Sequence, residues 1–170
     1  MERVLDYFQA PEQFQLIKQN RSMSRAAIDE VLEHLRSQKS ATIVFAVQGG
    51  VFSEGVDYPG EMAIGAFIVG APLPVFDLER EQMREYYEKV YSSGFDYAYT
   101  YPAMAKAVQA AGRVIRSETD RGIIVLMDDR FIQPNFEKSM PADWFENGSQ
   151  ELVSKEILKD VADFWINSAE

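Results

Sequence analysis

The chain has 170 residues, 46% of them hydrophobic, with 17 lysines and arginines against 27 aspartates and glutamates, a formal charge of −10. That length and apolar content suit one globular domain and exclude a disordered chain, while the acidity excludes broad, non-specific attraction to phosphate backbones. With no cysteine and a single histidine, His34, disulfides, thiolate chemistry and cysteine-bound zinc or iron–sulfur centres are excluded, and His-dependent triads are poor hypotheses. No apolar run is as long as a membrane span and no signal-peptide pattern opens the chain, so the expected place is the cytoplasm, with no membrane partner.

In chain order, residues 2–8 read as the end of a helix and FQLIKQ, 14–19, as a short strand. Ser24 can cap a helix over 25–37, where Ile28, Val31, Leu32 and Leu35 fall at helical spacing and His34 is expected on the surface. ATIVFAV, 41–47, is a nearly unbroken apolar run, the pattern of a strand buried on both faces. AIGAFIVG, 63–70, is a second, closed by Ala71-Pro72-Leu73-Pro74. A helix over 77–92 sets Met83, Tyr86, Tyr87, Val90 and Tyr91 on one side, where they suit a core or an interface. GIIVLMD, 122–128, is a third strand, and a last helix, about 149–166, carries Val153, Ile157, Val161, Phe164 and Trp165. The alternation of strands and helices implies one α/β domain over 1–170, a mainly parallel sheet with helices on both faces. Ligands of such folds bind at the carboxyl ends of the strands. The loop after 41–47 and the helix before 122–128 are therefore the prime positions.

That helix is expected over 102–116. At 100° per residue, Gln109, Arg113 and Arg116 share one stripe and Met104, Val108, Ala111 and Ile115 the opposite one. Pro102 suits a first turn, where its missing N–H costs nothing. Ala110, Ala111 and Gly112 keep the helix slim, as though something approaches its backbone. The loop after 41–47 reads VQGGVFSEGVDYPG, 47–60. Its glycines supply unusual conformations and N–H groups that can face phosphate oxygens, although tight turns need glycine as well. Ser53 adds a hydroxyl. Glu54 and Asp57 add carboxylates able to accept from a ribose hydroxyl or to pin an arginine.

Together the two stretches are specific. GGVFSEGVDYPG resembles motif V (48–60), and QAAGRVIR motif VI (109–116), of superfamily 2 helicases, in the form found in XPD/DinG-type DNA helicases. GFDYAYTYPAM ahead of motif VI and DRGIIVLMDDRF after it agree. The resemblance implies the C-terminal RecA-like domain of an ATP-dependent DNA helicase, with 5′→3′ polarity. It implies that Arg113 and Arg116 are arginine fingers and that Gln109 couples nucleotide state to the cleft. Glu54, Gly55 and Asp57 would line the ATP side, and Gly49, Gly50 and Ser53 would face single-stranded DNA. ATP and Mg²⁺ would be held mainly by the N-terminal RecA-like domain of the same enzyme, and any iron–sulfur cluster would lie in that other part.

No GxxxxGK[ST] occurs in the chain, so a phosphate cradle is lacking here. IIVLMDD looks like a Walker B strand but follows motif VI, where the family has a core strand. Asp128, Asp129 and Arg130 are therefore expected to form a structural charge cluster, with no metal site in this chain. The chain begins just where the family has completed the domain's first strand. The missing phosphate cradle leads to the expectation of a domain inactive alone, and the missing strand to a sheet gap filled by self-association or by strand 14–19. The competing reading is a non-enzymatic RecA-like module that docks a protein partner.

Overall fold

The computed structural model describes residues 8–9, 11–20 and 22–167. Apart from Phe8, the helix end expected over 2–8 lies outside the described residues. The chain divides into two compact units: Met1–Ile64 with Gly112–Gly122, and Gly65–Ala111 with Ile123–Glu170.

In the first unit, β1 (Phe14–Lys18) pairs in parallel with β2 (Ala41–Phe45), Phe14 opposite Ala41 and Lys18 opposite Phe45. A parallel pair needs a crossover, supplied by α1 (Arg25–Ser37). Ser24 caps α1 as expected, accepting from the Ala27 N–H at 3.2 Å. Leu32 and Leu35 bury its apolar face against Phe52, Val56 and Tyr58, with Val44 of β2 packed alongside. His34 is not simply a surface residue: it is half-buried and its Nε2 lies 3.1 Å from Thr42 Oγ1, tying α1 to β2. A one-turn helix, α2 (Val51–Glu54), follows β2.

In the second unit, β3 (Gly65–Val69) and β4 (Ile123–Met127) also pair in parallel, Gly65 opposite Ile123. The described strands thus form two parallel pairs, β1–β2 and β3–β4. Burial on both faces does not hold for β3. Ile68 is buried with Ile124 and Leu126 against Met104 and Ala107, whereas Phe67 and Val69, pointing the other way, are 64% and 50% exposed. Strand alternation puts them on the face that α4 does not cover.

α3 (Leu78–Tyr91) opens on Asp77, whose side chain accepts from the Arg80 N–H at 2.8 Å, and ends at Ser92 in the left-handed conformation. After it, a π turn over Asp96–Thr100 runs straight into α4 (Tyr101–Ala111). The expected helix over 102–116 is therefore wrong at both ends. Pro102 does not sit in a first turn; it lies inside a helical run. A proline there cannot donate to the carbonyl four residues back and its ring crowds that oxygen. The structure answers twice. The π turn widens the backbone, with the Tyr101 N–H reaching Asp96 O, and the released Ala98 carbonyl accepts from Arg80 Nη1 at 3.2 Å. At the other end the helix stops at Ala111, and Gly112–Val114 form a turn, so Ile115 is 44% exposed instead of joining a buried stripe.

Beyond β4, α5 (Pro134–Glu137) buries Phe136 beside Phe131 and Met140. The last helix, α6, spans Ile157–Asn167; the expected 149–166 merges it with a separate 3-10 turn, Ser149–Leu152. The turn is held by Glu137, which accepts from the Ser149 N–H at 2.8 Å and from its hydroxyl. Ser154 Oγ then accepts from the Glu156 N–H at the foot of α6. Among the described residues no helix is long and apolar enough to cross a membrane.

Candidate functional site

Parallel pairing brings the carboxyl ends of β1 and β2 side by side, and the glycine-rich loop starts there. Gln19, just past β1, donates its N–H to Phe45 O at 2.9 Å and accepts from the Val47 N–H at 3.1 Å through its side chain. The chain then turns. Gly49 takes φ 83°, a left-handed conformation that favours glycine. A Cβ on Gly50 would fall 2.6 Å from Gln19 Nε2 and 2.7 Å from Val47 O, so only glycine fits beneath that staple. The Gly50 N–H donates to Val47 O at 2.8 Å and to Ser53 Oγ at 3.1 Å. The Ser53 hydroxyl in turn lies 2.9 Å from Val47 O and 3.0 Å from Gly50 O. These groups are committed to the turn itself, so Gly50 and Ser53 set its shape before any ligand arrives. Gly55 closes α2 by donating to Val51 O at 2.8 Å. Tyr58 fastens the far end, its phenol donating to Phe52 O at 2.7 Å. Burial pushes that phenol up to about 12, with Arg113 pulling slightly the other way.

Residues Gly112–Gly122 belong to the same unit, and they bring the arginines to this loop. Val114, 3% exposed, anchors the segment. A Cβ on Gly122 would come within 2.2 Å of Val114 Cγ1, so the return past the anchor requires glycine. Arg113 Nη1 donates to Asp57 Oδ1 at 2.8 Å, and its Nη2 donates to the main-chain carbonyl of Glu54. Arg116 Nη2 lies 3.5 Å from the other Asp57 oxygen. Asp120 shapes the turn by accepting from the N–H groups of Arg116 and Ser117, both at 2.9 Å. Those bonds, Arg116's first, hold the Asp120 carboxyl below the usual carboxylate range. Both guanidinia thus converge on the Asp57 carboxylate, with the Asp120 carboxylate a further negative neighbour of Arg116.

The expected helical stripe of Gln109, Arg113 and Arg116 does not exist. Gln109 is exposed on α4 in the second unit, while both arginines lie past the helix end in the first. Of the other expected residues, Gly49, Gly50, Ser53, Glu54, Gly55 and Asp57 all lie in that first unit, on one loop. Glu54 Oε1 is buried with no hydrogen-bond partner among the described residues. Sequence reasoning missed Gln19, Tyr58 and Asp120. Tyr58 offered a signal, an aromatic residue amid glycines; Gln19, 28 positions from Val47, offered none. No group of three or more His, Cys, Asp or Glu that could hold a metal ion occurs among the described residues.

Parallel strand pairs, a helical crossover and a glycine-rich loop past the strand ends fit a RecA-like α/β domain. A solved XPD helicase structure shares this fold, matching 81% of this chain and 24% of its own with a TM-score of 0.62 at 22% identity. A second, of apo XPD, matches 81% and 28% with a TM-score of 0.59 at 21% identity. Residues 1–147 match the family model of the helicase C-terminal domain, and the chain belongs to that family, in its XPD/DinG-type form. It is 27% identical over 146 residues to the ATP-dependent DNA helicase chl1 of Aspergillus clavatus, covering 75% of this chain and 20% of that protein. It is 33% identical over 144 residues to a probable ATP-dependent helicase of Methanocaldococcus jannaschii, covering 76% and 22%. It is also 36% identical over 93 residues to the DNA helicase DinG of Photobacterium profundum, covering 54% and 13%. The chain spans about a fifth of the first curated relatives it matches, 20%, 19% and 18%.

Proposed function

We propose that this chain is the second motor domain of an ATP-dependent DNA helicase, supplying Arg113 and Arg116 as arginine fingers to ATP held by an N-terminal RecA-like domain. The observation that carries the reading is the convergence of both guanidinia on the exposed Asp57 carboxylate. ATP, with Mg²⁺, supplies the phosphoanhydride that is cleaved. The residues here fit its terminal phosphate, since two guanidinia converge at one exposed carboxylate. They do not fit the metal, which belongs to the partner domain's site. A preorganised guanidinium stabilises negative charge as it develops, and the planar fork does this better than a lysine point charge. Glu54, with one buried carboxylate oxygen still unpaired, is placed to accept a donor from the ATP side, alongside Gly55 and Asp57. Gln109 couples nucleotide state to the cleft.

Gly49, Gly50 and Ser53 form the DNA side, with Gly50 and Ser53 holding the turn. Binding of single strands through so small a surface, against a charge of −10, is weak and strongly salt-dependent. Translocation runs 5′→3′.

The test is DNA-stimulated ATP turnover by the polypeptide carrying both motor domains, with unwinding of 5′- and 3′-tailed duplexes. Arg113→Ala lowers kcat by about 10³ or more, and Arg113→Lys restores little of it. This chain by itself turns over no ATP. Full specific activity in the Arg113→Ala enzyme would overturn the finger assignment, and a two-domain polypeptide with no DNA-stimulated turnover would favour the non-enzymatic docking module.

A further inference from the structure

We infer that Asp57 is a positioning residue that holds both motif VI arginines while no nucleotide is present and yields Arg116, but not Arg113, to an incoming phosphate. This rests on the reading of the two arginines as phosphate-facing groups and adds a division of labour between them.

The two guanidinia are held differently. Arg113 is tied by two oxygens of different kinds: the Asp57 carboxylate at 2.8 Å and the neutral main-chain carbonyl of Glu54. Its side chain is 23% exposed. Among the described residues the Arg116 guanidinium has one ion pair, to the second Asp57 oxygen at 3.5 Å, beyond the 2.7–3.2 Å range of well-formed N–H···O bonds, with the Asp120 carboxylate a further negative neighbour that Asp57 does not control. The Asp57 carboxylate is 65% exposed, so an anion reaches the same side of the arginines that Asp57 occupies.

An arriving phosphate and Asp57 carry like charge and compete for the same guanidinia. Competition is settled at the weaker contact. Arg116 loses one long ion pair on leaving, whereas Arg113 would also lose a bond to a carbonyl that phosphate does not repel. Arg113 therefore stays as a brace between the loop and Gly112–Gly122 and offers its charge in place, and Arg116 moves. Asp57 sets the cost of that move, which places it in the ATP affinity as well as in the alignment of the fingers. An Asp57 that merely tied two loops together would affect stability and leave ATP affinity alone.

The experiment compares Asp57→Asn, Asp57→Ser, Arg116→Ala and the double variant Asp57→Asn/Arg116→Ala in the polypeptide carrying both motor domains. ATP KM, kcat and thermal unfolding are read on each. Removing the competing charge lowers the KM for ATP about two- to five-fold in both Asp57 variants, the range expected for one exposed ion pair. That gain vanishes when Asp57→Asn is made on the Arg116→Ala background, because no arginine remains to be released. An unchanged or raised KM in both Asp57 variants overturns the inference, as does the same fall persisting in the double variant. If Arg116→Ala turns over ATP like the unaltered enzyme, the underlying finger reading fails, and this inference with it. If Arg116→Ala is crippled while the Asp57 variants keep their KM, only the role given to Asp57 falls.

Discussion

Arg130 meets Asp128 in the second unit through two near-parallel bonds, Nε to Oδ1 at 2.8 Å and Nη2 to Oδ2 at 2.5 Å, whereas Arg113 and Arg116 in the first unit share the single carboxylate of Asp57. Asp128 also accepts from the main-chain N–H groups of Arg130 at 2.9 Å and Ala71 at 3.3 Å, and its side chain is 17% exposed. Those bonds, with Arg130's side chain first, draw its carboxyl down to about 2. Asp57 receives no such saturation and stands in water. The difference separates two uses of one residue pair. A carboxylate filled by its own neighbours clamps two loops and has nothing left for a ligand. A carboxylate stretched between two cations can be replaced. In the Walker-B-like IIVLMDD, Asp128 is thus occupied by Arg130 and Asp129 is exposed, outside the pair.

The sharpest way to break the comparison is to exchange the two losses. Arg116→Ala should lower kcat by about 10³ while shifting stability by within about 0.5 kcal/mol. Arg130→Ala should do the reverse, costing about 2 kcal/mol by stripping the half-buried Asp128 of its partner, with turnover of the folded fraction kept within a few-fold. Thermal unfolding and DNA-stimulated turnover on the same preparations decide it. Equal kinetic damage from both variants would erase the distinction.

A second, smaller effect appears in acid. Asp128 falls from an ordinary 3.8 to about 2 on folding. A depressed carboxyl stabilises the fold above its unfolded value and loses that contribution as pH drops through its folded one. Between about pH 4 and pH 2, then, the chain should lose on the order of 1–2 kcal/mol that an Asp128→Asn variant does not lose. Unfolding curves of the two proteins that stay parallel across this window would contradict the closed-pair description.

The smallest effect extends the contrast to arginines that hold main-chain oxygens. Arg80 reaches the Ala98 carbonyl because Pro102 cannot. Arg80→Met should cost about 1–3 kcal/mol by taking that donor away from the carbonyl, and clearly less in a Pro102→Ala background, where a backbone N–H is restored. A double-mutant cycle with no coupling would detach the arginine from the proline.

Much of this was legible in the residues, and the pattern of what was not is instructive. Apolar runs placed β2, β3 and β4 to within two residues, and Ser24 marked where α1 begins, because those signals are local. The end of α4 was not local. The apolar spacing of Val108, Ala111 and Ile115 continues past Ala111, but Arg113 is drawn to Asp57 and Glu54, and Val114 is buried by the return at Gly122. Tertiary ties overrode helical periodicity there. Motif V and motif VI stood out in the sequence, while Gln19, which gives the motif V turn its footing, acts over a distance that no spacing rule encodes. The loss of one face of β3 to solvent was hidden for a similar reason, since a run such as AFIV reads alike whether one side or both are covered.

The Glu54 end of the Arg113 brace has a consequence for anyone cataloguing variants of this domain. The acceptor is a peptide carbonyl, which every amino acid carries. Replacing Glu54 by any residue that keeps the backbone course leaves that bond standing, so a substitution survey will score position 54 only for what its carboxylate does. That bond is visible to genetics from one side alone, through Arg113.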